Sequence, residues 1–257
     1  MINAKDSRNT FYILDKKNDV PIVFIHGVGL NHKIWEPQIN IFENTFLAYD
    51  ILGHGKTPLN KENITFDDFS NQLLNLIDEL NVKKIHLVGF SIGSLIARNF
   101  ASKYSDRLES LILLCSIFKR TEKQQQIVKD RFELAKKSKS LSKQALKRWF
   151  TDEYLKKNPN TYNKISSILE QNNMENFLKI YELFVNHKDN EQFEKIKTKT
   201  LIMTGEGDIG STPEMSVNLS KVINNSNVKI ISKGKHLCSI ECADDVNMAI
   251  KKHIQND

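Results

Sequence analysis

The five residues Gly89-Phe90-Ser91-Ile92-Gly93 place a serine between two glycines with one residue on either side. This is the nucleophile-elbow pattern, in which the serine occupies a strained turn between a strand and a helix and the glycines leave room where backbones crowd. A serine hydroxyl is a poor nucleophile at neutral pH until a base takes its proton, so the pattern demands a histidine from elsewhere in the chain. Of the seven histidines, His236 stands in Gly-Lys-His beyond the last apolar run, in the chain order serine, acid, histidine. The acid must orient the imidazole and stabilise its charged form. Two carboxylates follow the run TLIMTG: Glu206 and Asp208. Asp208 is preferred, because it lies past the second glycine, where the loop can turn toward His236.

Acyl transfer through Ser91 also needs backbone N–H donors for the oxyanion, each worth about 3 to 4 kcal/mol in the transition state. Ile92, at the start of the helix after the nucleophile, is one expected donor. Val28, in the glycine-bounded turn His26-Gly27-Val28-Gly29, is the other. His26 is read as a support for that turn. Asp50, in Asp50-Ile51-Leu52-Gly53-His54-Gly55, precedes the nucleophile and is read as structural.

Such residues need rigid elements to carry them. Short Val-, Ile- and Leu-rich runs recur at 20–26, 45–50, 84–90, 108–115, 200–205 and 228–232, the signature of strands buried on both faces of a parallel sheet. FYILD at 11–15 is expected as an antiparallel edge strand. Residues 66–80 place Phe69, Leu73, Leu76, Ile77 and Leu80 on one helical face, and helices are also expected at 92–104 and 243–254. Between Phe118 and Phe193 the strand series stops and helical periodicity takes over. The expectation is an α/β core of residues 1–117 and 194–257 with a helical cap of residues 118–193.

Composition narrows the partners. With 40% hydrophobic and 26% charged residues the chain is neither disordered nor fibrous. The net charge is +6, but six Arg stand against 31 scattered Lys, not the clustered basic stripe of a nucleic-acid reader. No apolar stretch is long enough to span a membrane and no leader-like segment opens the chain, so a cytoplasmic protein acting on a small molecule is expected. Three cysteines imply no disulfide framework, and His236, Cys238 and Cys242 lack the second ligand pair a structural zinc site needs; no metal is expected.

The segments HGVG, DILGHG, GFSIG, TGEGD and GKH, in that order, resemble the α/β-hydrolase superfamily across nearly the whole chain. HGVGLNHKIWEPQ followed by YDILGHGKTP is similar to the branch containing 3-oxoadipate enol-lactonases and small-molecule esterases and lactonases. That branch in turn resembles hydrolases of acylaminomethylene-succinates. The resemblance implies an α/β-hydrolase fold: an eight-stranded, mostly parallel sheet with helices on both faces under a helical cap, and hydrolysis through an acyl-enzyme without a cofactor. It puts Ser91, Asp208 and His236 on the family's triad and Val28 and Ile92 on its oxyanion positions. Ile92 stands where relatives carry Met or Gln, but only its backbone N–H is required.

Substrates in that branch carry carboxylates, so the resemblance also implies a cation above the nucleophile. Arg120, Arg131 and Arg148, with Trp149 beside the last, are the candidates, because a guanidinium fork matches a carboxylate with two bonds. Trp35 is expected in the pocket wall or the core. An ester or lactone is the first expected substrate. An amide or a carbon–carbon bond cleaved by the same triad is the alternative, and a non-hydrolytic binder or lyase is disfavoured by the presence of all three triad residues.

Overall fold

The apolar runs become one eight-stranded sheet in a computed structural model that describes residues 1–137 and 142–255. The strands are β1 (Ile2–Lys5), β2 (Phe11–Asp15), β3 (Ile22–Ile25), β4 (Phe46–Tyr49), β5 (Ile85–Phe90), β6 (Leu108–Leu114), β7 (Thr200–Gly205) and β8 (Ser226–Ile231), in the spatial order β1-β2-β4-β3-β5-β6-β7-β8. From β4 to β8 every pairing is parallel, while β1–β2 and β2–β4 are antiparallel. Phe11–Asp15 is antiparallel, as expected, but it is not the edge. Ile2–Lys5 pairs outside it. That four-residue strand is mostly exposed and carries no apolar run, so backbone pairing alone defines it.

Side chains alternate across the strands with period two. Val23, Ile25, Leu87, Leu111 and Leu113 enter one apolar cluster, whereas Phe24, Val88, Phe90, Ile112 and Leu114 enter a second on the opposite face. The first cluster is covered by α2 (Phe66–Glu79) and α3 (Ile92–Lys103), with Met215 and Leu219 of a later helix (Pro213–Ser220) joining it. A short helix, α1 (Glu36–Ile39), packs into the second. The α2 helix opens on a Thr65–Asp68 capping box and buries Phe69, Leu73, Leu76 and Ile77 completely. Each such side chain contributes about 1.5 to 3 kcal/mol of burial.

Between β6 and β7 come only helices among the described residues: α4 (Glu122–Lys137), α5 (Ser142–Trp149), α6 (Asp152–Lys157), α7 (Pro159–Glu170) and α8 (Met174–Val185). Residues 138–141 of the expected 118–193 insertion, and residues 256–257 of the expected core, lie outside the described residues. After β7 follow α9 (Pro213–Ser220), then beyond β8 α10 (Cys238–Glu241) and α11 (Ala243–Gln255). No described helix is long and apolar enough to cross a membrane.

Candidate active site

Ser91 is the residue at which β5 ends and α3 begins. Its backbone sits at φ 56° and ψ −118°, a region costly for any residue with a side chain. The surrounding contacts enforce it. A Cβ on Gly89 would lie 2.2 Å from the Gly93 carbonyl oxygen, and one on Gly93 would lie 2.5 Å from that of Ile25, so only glycine lets strand and helix approach this closely. The Ser91 N–H donates to the Leu114 carbonyl at 2.9 Å, which ties the turn to β6.

The loops that follow β7 and β8 deliver the partners. The Ser91 hydroxyl lies 3.3 Å from His236 Nε2, and His236 Nδ1 lies 2.6 Å from Asp208 Oδ2. The other Asp208 oxygen accepts the N–H groups of Gly210 and Ser211 at 2.8 and 3.0 Å. Glu206, the rival, faces outward and accepts the Lys233 N–H at 3.1 Å. Burial alone would push the His236 imidazole down, but the facing Asp208 charge and hydrogen bond outweigh it and hold the imidazole well above the free-histidine value. Asp208, whose burial acts upward, is held low by the same pairing and by its two backbone donors. A proton transferred from Ser91 to His236 is thereby stabilised.

The turn 26–29 packs against Ser91: a methyl group on Gly27 would lie 3.4 Å from Ser91 Cβ. Two buried imidazoles hold it. His26 Nδ1–H donates to the Gly27 carbonyl at 2.8 Å while Nε2 accepts the Ile51 N–H at 3.0 Å; His54 Nε2 accepts the Gly29 N–H at 2.8 Å. Both must be neutral to accept, and burial pushes His26 down to about 4 and His54 down to about 3. Asp50 joins the support by accepting the N–H groups of His32 and Lys56 at 2.9 Å each. The backbone N–H groups of Val28 and Ile92 find no acceptor among the described residues.

A cavity of about 490 Å³ opens above Ser91, with Val28, Asp208 and His236 in its wall. Arg120, Arg131, Arg148 and Trp149 line it as well, all from the segment between β6 and β7. Arg120 Nη1 donates to the Phe184 and Val185 carbonyls at 3.2 Å, but its buried Nη2 has no partner among the described residues. Arg148 Nη1 donates to the Gln144 carbonyl at 2.9 Å. Burial pushes the Arg120 guanidinium down to about 10 and lowers Arg148 too, which Arg131 reinforces by like charge. No carboxylate pairs with these three arginines among the described residues.

Trp35 does not line this cavity. It is fully buried under the sheet, its ring 4.9 Å from that of Phe24, because the turn at His32–Trp35 directs it into the second apolar cluster. Of the two expected positions it takes the core. Sequence reading passed over Tyr181, which lines the cavity among the three arginines, and Ile209, beside Asp208 and largely exposed. Neither stands in a pattern that marks it, since a tyrosine in an amphipathic helix and an isoleucine after a loop aspartate are commonplace.

One cluster of ligand-type atoms coincides with the site. Cys115, Asp208 and His236 approach within 4.8 Å of one another. Their donor chemistry does not suit a metal: Nδ1 and the carboxylate are engaged with each other, and burial pushes the Cys115 thiol far up, away from the thiolate. Cys238 and Cys242 do not join it.

The chain was compared with known proteins. Residues 20–242 match the family model described as alpha/beta hydrolase fold. An (E)-2-((N-methylformamido)methylene)succinate hydrolase of Acinetobacter baylyi is 25% identical over 255 residues, covering 97% of this chain and 95% of that protein. The 3-oxoadipate enol-lactonase 2 of the same organism is 22% identical, covering 97% and 94%. Among solved structures, the enol-lactonase from Burkholderia xenovorans LB400 superposes with a TM-score of 0.88 at 22% identity, covering 96% of this chain and 97% of its own. A family model spanning most of the sequence, on the sheet order and elbow described above, shows that the chain belongs to the alpha/beta hydrolase fold family and is a hydrolase.

Proposed function

We propose that this hydrolase cleaves a small carboxylic ester or lactone through an acyl-enzyme on Ser91. The observation that carries the reading is the continuous path from the Ser91 hydroxyl to His236 Nε2 and from Nδ1 to Asp208, at the floor of the cavity. His236 takes the hydroxyl proton as Oγ attacks the substrate carbonyl. The Val28 and Ile92 N–H groups receive the oxyanion, and the imidazolium, stabilised by Asp208, returns its proton to the leaving oxygen. Water, activated by the same imidazole, then releases the acid. No step calls for a cofactor.

The cap in this reading is residues 118–193 over a core of residues 1–117 and 194–257, and it supplies Arg120, Arg131 and Arg148 with Trp149 as the binding wall. Three guanidinium groups without carboxylate partners favour a substrate that carries its own carboxylate. A second reading, amide cleavage by the same residues, is favoured by the relative named for an N-methylformamido methylene-succinate, a compound both amide and dicarboxylate. Turnover of matched esters, lactones and acylamino-succinates by the parent and by Ser91→Ala tests both. One class must be hydrolysed and the activity lost in the variant; hydrolysis that survives Ser91→Ala refutes the mechanism.

A further inference from the structure

Arg98 lies two turns along α3 from Ser91 and is completely buried, although nothing in the reaction uses it. Its guanidinium reaches in two directions. Nη1 donates to the Ile117 carbonyl at 2.7 Å, where the chain leaves the sheet, and Nη2 donates to Asp189 at 2.7 Å and Glu191 at 2.8 Å, where the chain returns. The Asp189 carboxylate has a second duty, accepting the Lys119 N–H at 2.7 Å. The rings of Phe118 and Phe193, in edge contact with each other, lie over the guanidinium on the same two segments. His187 completes the group, its Nε2 3.5 Å from both carboxylates and its ring against Phe66 of α2. Both crossings between the sheet and the inserted helices therefore converge on one buried side chain.

The cavity arginine nearest this clasp is Arg120, the residue after Lys119. Its carbonyl partners, Phe184 and Val185, end α8 just before His187. The clasp thus fixes both strands of chain that hold Arg120 in place. A buried ion pair gives little net stability over an apolar isostere, so its energetic role is better met by specifying geometry than by adding stability.

We propose that Arg98 is a positioning residue: with Asp189 and Glu191 it sets the placement of Arg120 over Ser91, and so governs recognition of a substrate carboxylate without taking part in acyl transfer. This rests on the reading of Ser91 as nucleophile and of the cavity arginines as an anion site.

The test separates the two roles. The rate of Ser91 labelling by a fluorophosphonate reads the acyl-transfer residues, and the concentration of free succinate that protects against labelling reads the anion site. Asp189→Asn and Glu191→Gln remove one clasp charge each at nearly constant shape, and Arg120→Lys serves as the control for the anion site. In both clasp variants the labelling rate without succinate should stay within about twofold of the parent while the protecting concentration rises about tenfold, the scale of one misplaced charge-assisted hydrogen bond. Protection unchanged in both folded variants, or labelling lost together with protection, overturns the proposal. So does failure of both variants to fold, which would make the clasp a determinant of the fold alone. A parent that is not labelled refutes the nucleophile, and a labelled parent indifferent to succinate, or protected equally after Arg120→Lys, refutes the anion site; neither result depends on the clasp.

Discussion

Replacing Asp208 by Asn tests the site's logic more sharply than deleting it. The Oδ1 position accepts two N–H groups, from Gly210 and Ser211, so the amide oxygen of the variant must take that place. The amide NH2 then occupies the Oδ2 position, 2.6 Å from His236 Nδ1. A donor there forces Nδ1 to accept, the ring proton moves to Nε2, and the ring can no longer take the proton of Ser91. The imidazole also loses the charge that stabilises its protonated form. A triad held in the wrong tautomer loses about ten-thousandfold in turnover, or about 5 kcal/mol of transition-state stabilisation. The assay is kcat/KM on a short p-nitrophenyl ester or, where the cavity excludes it, the second-order rate of fluorophosphonate labelling. Circular dichroism checks the fold, and Glu206→Gln, which should stay within about twofold of the parent, serves as comparison. A folded Asp208→Asn protein within about tenfold of the parent would refute the reasoning, because the fixed amide orientation leaves no other route to the correct tautomer.

Further expectations follow from the same geometry. His236 must be neutral to act as base and Asp208 raises its proton affinity, so kcat/KM should rise with pH along a limb centred above the free-histidine value of about 6.5; a pH–rate profile with its limb below that value contradicts the pairing. His54→Ala leaves the buried Gly29 N–H without an acceptor and should cost about 1 to 3 kcal/mol in denaturant unfolding, with a fall in kcat as the turn 26–29 loosens. Gly93→Ala drives a methyl group onto two backbone carbonyls and should destabilise by more than about 3 kcal/mol, read as a lost or sharply lowered thermal transition. Trp35→Phe should lower stability by about 1 to 3 kcal/mol yet leave KM unchanged, since the ring faces the core; a raised KM would return Trp35 to the substrate.

What could be read from the sequence tracks the range of the interactions involved. Gly89 and Gly93 announce the elbow because the clash they avoid is local; chain order points to His236, and the loop glycine between Glu206 and Asp208 points to the carboxylate that meets it. The central strands are legible because burial on both faces makes apolar residues dominate them, with only a few polar side chains such as His86, Ser110 and Thr204 between. Ile2–Lys5 is not, because a mostly exposed edge strand is held by its neighbour's backbone and needs no apolar pattern. The direction of Trp35 depends on one short turn. The Arg98 clasp is out of reach altogether: its carboxylates lie 91 and 93 residues away, and a helix arginine with distant partners looks like any solvated one until the chain is folded.

The central claim is that Ser91 is the nucleophile, and its most direct measurement is the intact mass of the protein after exposure to a fluorophosphonate, with the adduct mapped by peptide sequencing. One adduct per chain on Ser91, absent in Ser91→Ala and strongly slowed in His236→Ala, is the predicted result. An adduct on another residue, or labelling that persists in Ser91→Ala, would contradict the account.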